Sequence, residues 1–377
     1  MTISGRRLAL VVFSSSLCIC GWRAQGRVLS GEDARQPMVN LGKKEGLPSA
    51  PMNSMAELAD GTMAFGTANG LALWKDGKLR VFTGPYFECL DGGMGRMKPG
   101  NSALPSNCIQ ALLVARDGVL WIGTSKGLVQ LKNGTLTDVS PKLPPTWPAA
   151  SSQQSAQPAA EFPADCHDVY SLYEAKDGRI FIGTRNAGIL AYHPKEDCFE
   201  LLHSLPDVNK WIWAIDEDKQ GVVWFAARGL GVLRLAEGKV SLLPQPEGWV
   251  PVSEVRSLCV DRKGALWVGT ANGLGVSVAD GSRRAFKDKE TLPDLLVKTL
   301  RTGSDGRIWA FTHKGAAVFN GERWAYPEID GKREIDFAFE MRSGDLWTAD
   351  WQGATRNASI QWNAEIQWKR RLGQAKV

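Results

Sequence analysis

Seven positions carry side chains able to bind rather than merely pack. Asn53, Gln110, Tyr170, Trp213, Arg256, Lys298 and Asp336 each stand eight residues ahead of a recurring glycine (Gly61, Gly118, Gly178, Gly221, Gly264, Gly306 and Gly344). The residue before each is apolar and the residue after is mostly small. Tyr and Trp offer flat faces, and the polar members offer hydrogen bonds. Brought to one mouth, they suit a polar ligand with a planar face, such as a sugar. The plainer alternative is a row of side chains that stays polar because a wet channel solvates it. A second set falls in the turns that follow each glycine: Arg185, Arg228, His313 and Trp351. The fourth copy there reads Ala226-Ala227-Arg228-Gly229 where others read Gly-Thr-x-x-Gly, and the last reads Asp350-Trp351-Gln352.

Catalytic and metal chemistry find little footing. The four histidines (His167, His193, His203 and His313) lie in four contexts, none paired at metal-ligand spacing. Neither a nucleophile elbow, a Walker A loop nor a zincin motif is present. The expectation is therefore no catalytic residue, no metal and no cofactor. The alternative is a lyase or hydrolase acting on a carbohydrate or cyclic peptide at the same rim, with His313 as general base and Arg228 or Arg256 stabilising an enolate.

The elements that position these residues repeat. The seven glycines are spaced 57, 60, 43, 43, 42 and 38 residues apart. After each comes an alternating run rich in β-branched and aromatic residues, clearest as Val119-Leu120-Trp121-Ile122-Gly123-Thr124 and Ala265-Leu266-Trp267-Val268-Gly269-Thr270. In the second copy, Ile109–Ala115, Val119–Gly123, Leu128–Leu131 and Thr135–Val139 read as four strands. Asx-Gly pairs at Asp76-Gly77, Asn133-Gly134, Asp280-Gly281 and Asn320-Gly321 mark the last hairpin of a copy. Four short antiparallel strands in about 42 residues make a propeller blade. Seven copies predict an all-β, seven-bladed β-propeller of four-stranded antiparallel blades. The aromatic three residues after each glycine is Trp in five copies, Phe181 in one and Ala64 in the first, and is expected to wedge between blades. The first two intervals are long because of inserts at about 85–103 and 141–163, both following a fourth strand and so falling side by side on one rim.

The stretch Leu104-Pro105-Ser106-Asn107, then Asp117-Gly118-Val119-Leu120-Trp121-Ile122-Gly123-Thr124-Ser125-Lys126-Gly127-Leu128, resembles the two-component regulator propeller repeat. The copy ending Trp267-Val268-Gly269-Thr270-Ala271-Asn272-Gly273-Leu274 matches nearly as well. The resemblance covers about residues 46–353. It implies the extracytoplasmic sensor of a hybrid histidine kinase or a related signalling protein, perceiving a carbohydrate or other ligand. The chain stops at Val377 with no kinase sequence of its own. It is therefore expected to act as a ligand-binding or protein-binding ring. The streptogramin-lyase propellers are a more distant resemblance.

The formal charge of +5 includes Arg6, Arg7 and Arg23 in an N-terminal stretch without acids, so the body is near neutral. Nucleic acid is not expected as a partner, and no membrane span is expected in the body. The expected partners are a small molecule or glycan, or a signalling protein. Residues 1–24 read as an export signal or N-terminal anchor. Residues 36–368 form the propeller and 369–377 a tail, in a periplasmic or secreted protein. Outside the leader, Cys89, Cys108, Cys166 and Cys198 are candidates for two disulfides in an oxidising compartment, with reduced thiols the equal alternative. The last blade is completed either by Met38–Leu41 or by Ile360–Trp368.

Overall fold

In the computed structural model, residues 39–49, 51–89, 95–143, 167–205, 210–244, 249–250, 254–278, 281–287, 291–327 and 335–357 are described. The leader, most of the second insert, the tail and Ile360–Trp368 lie outside them. Seven four-stranded antiparallel sheets follow one another along the chain. The first strand of each lines the axis: Met52–Glu57, Ile109–Val114, Val169–Glu174, Trp211–Glu217, Val255–Val260, Val297–Thr302 and Phe337–Glu340, for blades one to seven. These strands touch from blade to blade around the ring, blade seven meeting blade one. The architecture is the seven-bladed propeller that the repeat predicts. Closure uses the N-terminal option. Val39–Leu41 pairs with Gly353–Asn357 as the outermost strand of blade seven, so both ends of the ring share one sheet.

The repeat motif is an inventory of packing devices. The aromatic of the second strand lies against the next blade. Trp121 meets Tyr192 at 5.0 Å, Phe181 meets Phe225 at 5.7 Å, Trp267 meets Phe319 at 5.4 Å and Trp347 meets Phe65 at 5.1 Å. The glycine two residues later sets the blade spacing. A Cβ on Gly123 would stand 2.6 Å from Val169, and one on Gly183 2.5 Å from Ile212, so after blades one, two, three and five the first apolar residue of the following blade seats on bare backbone. The Thr after it closes the next turn. Thr124 Oγ1 donates to the Gly127 carbonyl at 2.9 Å and accepts from the Lys126 amide at 3.1 Å, and Thr67 and Thr270 repeat the pattern.

The two hairpins of a blade differ. At the last one, Asn133 and Gly134 both have positive φ (50° and 80°), as a type I′ turn requires. At the first, only Gly118 does (82°). The Ala115 amide donates to the Val119 carbonyl and the Gly118 amide to the Ala115 carbonyl, giving a wider loop that ends on a left-handed glycine. The first insert contributes its own hairpin, Tyr86–Cys89 with Gly95–Lys98.

On the face carrying these first hairpins, neighbouring blades clasp each other through the last residue of the axial strand. Glu174 accepts the Arg116 amide (2.7 Å), Glu217 the Lys176 amide (2.8 Å), Glu340 the Ser304 amide (3.0 Å) and Glu57 the Arg342 amide (2.7 Å). Arg116 and Lys176 add a second bond in the same direction, donating from their side chains to the Ala175 and Asp218 carbonyls.

Candidate functional site

The seven axial positions share one backbone device. In blades one to six the ladder between first and second strands skips a residue, and the skipped residues are Asn53, Gln110, Tyr170, Trp213, Arg256 and Lys298. Each is the extra residue of a β-bulge, which bends the strand and re-aims a side chain. The residue before it is buried, whereas Gln110, Tyr170, Trp213, Arg256 and Lys298 are half-buried and Asn53 is exposed. In blade seven the equivalent Asp336 stands just ahead of the first strand, its amide bonded to the Ala349 carbonyl.

Across blades three to five these side chains merge with the rim. The Tyr170 and Trp213 rings meet edge to face at 5.8 Å, and the Arg256 guanidinium lies 5.9 Å over Trp213. Trp211, two residues ahead of Trp213, touches both Tyr170 and Trp213 at 6.4 Å. The guanidiniums of Arg185 and Arg228 lie over the Trp211 ring at 5.1 and 4.6 Å. Asp168 stands 3.8 Å from Arg185, and Glu254 stands 3.9 Å from Arg228. Burial, with the charge of Asp168 added, pushes the Tyr170 hydroxyl pKa above its ordinary value, so this phenol stays neutral as a hydrogen-bonding group.

The departure of blade four from the motif builds this cluster. Ala227 replaces the turn-closing Thr, so the second strand runs on to Arg228 and the first strand starts early, at Trp211, paired with Arg228. Blade three is stitched to the same edge. Arg185 bridges to Trp211, and the Asn186 amide donates to the Lys210 carbonyl at 2.8 Å.

Three segments of the chain, residues 103–126, 165–186 and 250–272, match the two component regulator propeller family. The chain carries two-component regulator propeller repeats. The matched repeats belong to blades two, three and five, and the last two run through Tyr170, Arg185 and Arg256. The curated histidine kinase P4 of Formosa agariphila is 24% identical over 255 residues, which span 50% of this chain and 19% of the kinase. Among solved structures, the extracellular domain of the hybrid two-component system BT3049 from B. thetaiotaomicron is similar over 85% of this chain and 41% of that one, at 16% identity and a TM-score of 0.61. Virginiamycin B lyase from Staphylococcus aureus is similar over 85% of this chain and 97% of its own, at 15% identity and a TM-score of 0.58. At these identities the structural likeness is one of fold.

The remaining predicted residues stand elsewhere on the propeller. Lys298 and Asp336 form an ion pair across blades six and seven. The Asn53 side chain donates to the Ile109 carbonyl at 2.8 Å, joining blades one and two. His313 lies on the rim of blade six, beside Asp294 and Lys314, outside the cluster of blades three to five. Trp351 is on the rim of blade seven and is 62% exposed. No helix among the described residues is long and apolar enough to cross a membrane.

Cys108 and Cys198 are free thiols. Cys166 and the Cys89 side chain lie outside the described residues. Reasoning from the repeat left Asp168 and Glu254 out of the site, because neither occupies a periodic position, whereas Trp211 stands out in the sequence as a second Trp beside Trp213 and outside the repeated wedge position. The lost Thr at Ala227 was the signal that an extra aromatic had been drawn onto the rim.

Proposed function

We propose that this chain receives a small polar ligand, a glycan or similar molecule, at the mouth between blades three and five, and serves outside the cytoplasm as the sensing propeller of a signalling protein. One observation carries the reading: Tyr170, Trp211, Trp213, Arg185, Arg228 and Arg256, from three consecutive blades, form one continuous aromatic and guanidinium surface. Aromatic faces beside fixed hydrogen-bond donors are what a sugar-sized ligand requires. The regulator propeller repeats support the signalling role, as does the 24% identity to part of a histidine kinase. Export is supported by the basic and apolar leader of residues 1–24 and by the extracellular placement of the similar sensor domain. A signalling protein that reads the occupied ring is the partner this reading calls for.

The test is binding of the purified chain to a glycan array, followed by calorimetry on the hits. Trp213→Ala and Arg256→Ala should each weaken binding by tenfold or more while leaving the urea midpoint nearly unchanged. Undiminished binding in both variants would rule out the mouth.

A further inference from the structure

We infer that the ligand taken at this mouth carries a carboxylate beside a flat face, the class to which uronic acids and aromatic carboxylic acids belong. The inference rests on the mouth being the receiving site and specifies what it selects. Its basis is an excess of donors. The Nε atoms of Arg185 and Arg256 and the indole Nε1 of Trp213 are buried and have no acceptor. Arginine and tryptophan side chains donate only, so these groups cannot satisfy one another. A buried donor without a partner is costly, and three in adjoining side chains ask for a common acceptor.

Charge points the same way. Three guanidiniums crowd two touching indoles. Two carboxylates face them, at 3.8 and 3.9 Å, outside hydrogen-bonding distance. These offset Arg185 and Arg228. Arg256 has neither an ion pair nor a hydrogen bond among the described residues, and its guanidinium lies over the face of Trp213. One unmatched guanidinium fits one negative charge. A carboxylate presents two coplanar oxygens to the planar fork, whereas a phosphate monoester brings nearly two charges. The rings of Tyr170, Trp211 and Trp213 then cover the flat face attached to that carboxylate.

The test uses matched probes on the intact chain, read by tryptophan fluorescence and calorimetry: glucuronate against glucose, galacturonate against galactose, benzoate against benzyl alcohol, and glucose 6-phosphate. At least one acid should bind tenfold or more tighter than its neutral partner and tighter than glucose 6-phosphate. The pair that responds separates a sugar acid from an aromatic acid. Arg256→Gln keeps most of the side-chain volume and removes the charge. It should erase the preference while retaining weak binding of the neutral partner, with an unchanged urea midpoint. Equal affinity for acids and neutrals, a preference for the phosphate, or a preference that survives Arg256→Gln would overturn the carboxylate. If neutral sugars alone bind and Trp213→Ala abolishes that binding, the mouth stands and the carboxylate falls. If acids bind Trp213→Ala undiminished, or no probe binds, both fall.

Discussion

At the scale of single residues, the motif Trp-x-Gly-Thr separates into parts that need no ligand to explain them. Trp267 is buried among Phe286, Phe319 and Trp324, and its indole N–H donates to Asp261 at 3.0 Å. Trp267→Ala should lower stability by about 3–5 kcal/mol, the usual cost of emptying an aromatic site in a core. Urea unfolding measures it, and a midpoint equal to that of the unaltered protein would contradict the wedge. Position along the repeat made these residues legible, because the same packing problem recurs at every blade junction. The axial column was legible for a related reason: a bulge at one fixed register places a partly solvated side chain between buried neighbours. Asp168 and Glu254 were not legible, since each acts through a contact made only in space, Asp168 with Arg185 at the far end of its own blade's first hairpin and Glu254 with Arg228 of the preceding blade. Spacing within one repeat carries no record of those contacts.

At the scale of elements, the clasps between axial strands make a pH prediction. Glu174, Glu217 and Glu340 accept backbone amides of the preceding blade, and burial, the largest influence on each, pushes their carboxyl pKa values up. A raised acid pKa means the folded ring holds these protons more tightly than the unfolded chain does. The stability so contributed is fully present below the ordinary carboxylate pKa and is lost as pH rises through the raised value. Asp60 works in the opposite sense. Its hydrogen bond to Lys75 holds its pKa at about 2, and that stability is lost only as pH falls towards that value. Glu217→Gln keeps an oxygen for the Lys176 amide without the buried charge. Its urea midpoint should match or exceed that of the unaltered protein at pH 7.5 and lose the advantage at pH 4.5. Glu217→Ala, which leaves the amide unpaired, should cost about 1–2 kcal/mol at either pH. A Gln variant as weak as the Ala variant would refute the clasp. The clasp glutamates, Glu57 among them, escaped the sequence reading because Glu at the end of a strand, ahead of a turn, looks like ordinary surface.

The whole molecule is a ring whose first and last blades are tied by hydrogen bonds at two radii, with Trp347 packed on Phe65 between them. Near the axis, Glu57 of blade one accepts the Arg342 amide of blade seven. At the periphery, Val39–Leu41 adds the outer strand of blade seven through three residue pairs, with Leu41 buried in the cluster that holds Met52, Phe65 and Trp347. The sequence left two closures open because both ends offered a strand-like run. The ring decides between them by joining its first segment to its last blade, so that neither end can leave without breaking a sheet. A seam of three residue pairs is weaker than the blades it joins, and it should open before the ring unfolds. Leu41→Asp places an unpaired carboxylate in that apolar cluster and removes about 2 kcal/mol or more of side-chain burial. Hydrogen exchange should then rise at least tenfold in Gly353–Asn357, while Val223–Arg228 on the far side of the ring changes little. An equal rise in both strands would mean that the seam opens only with the whole propeller. The mouth of blades three to five lies across the ring from this seam, so ligand binding by Leu41→Asp should persist at temperatures where Gly353–Asn357 already exchanges freely.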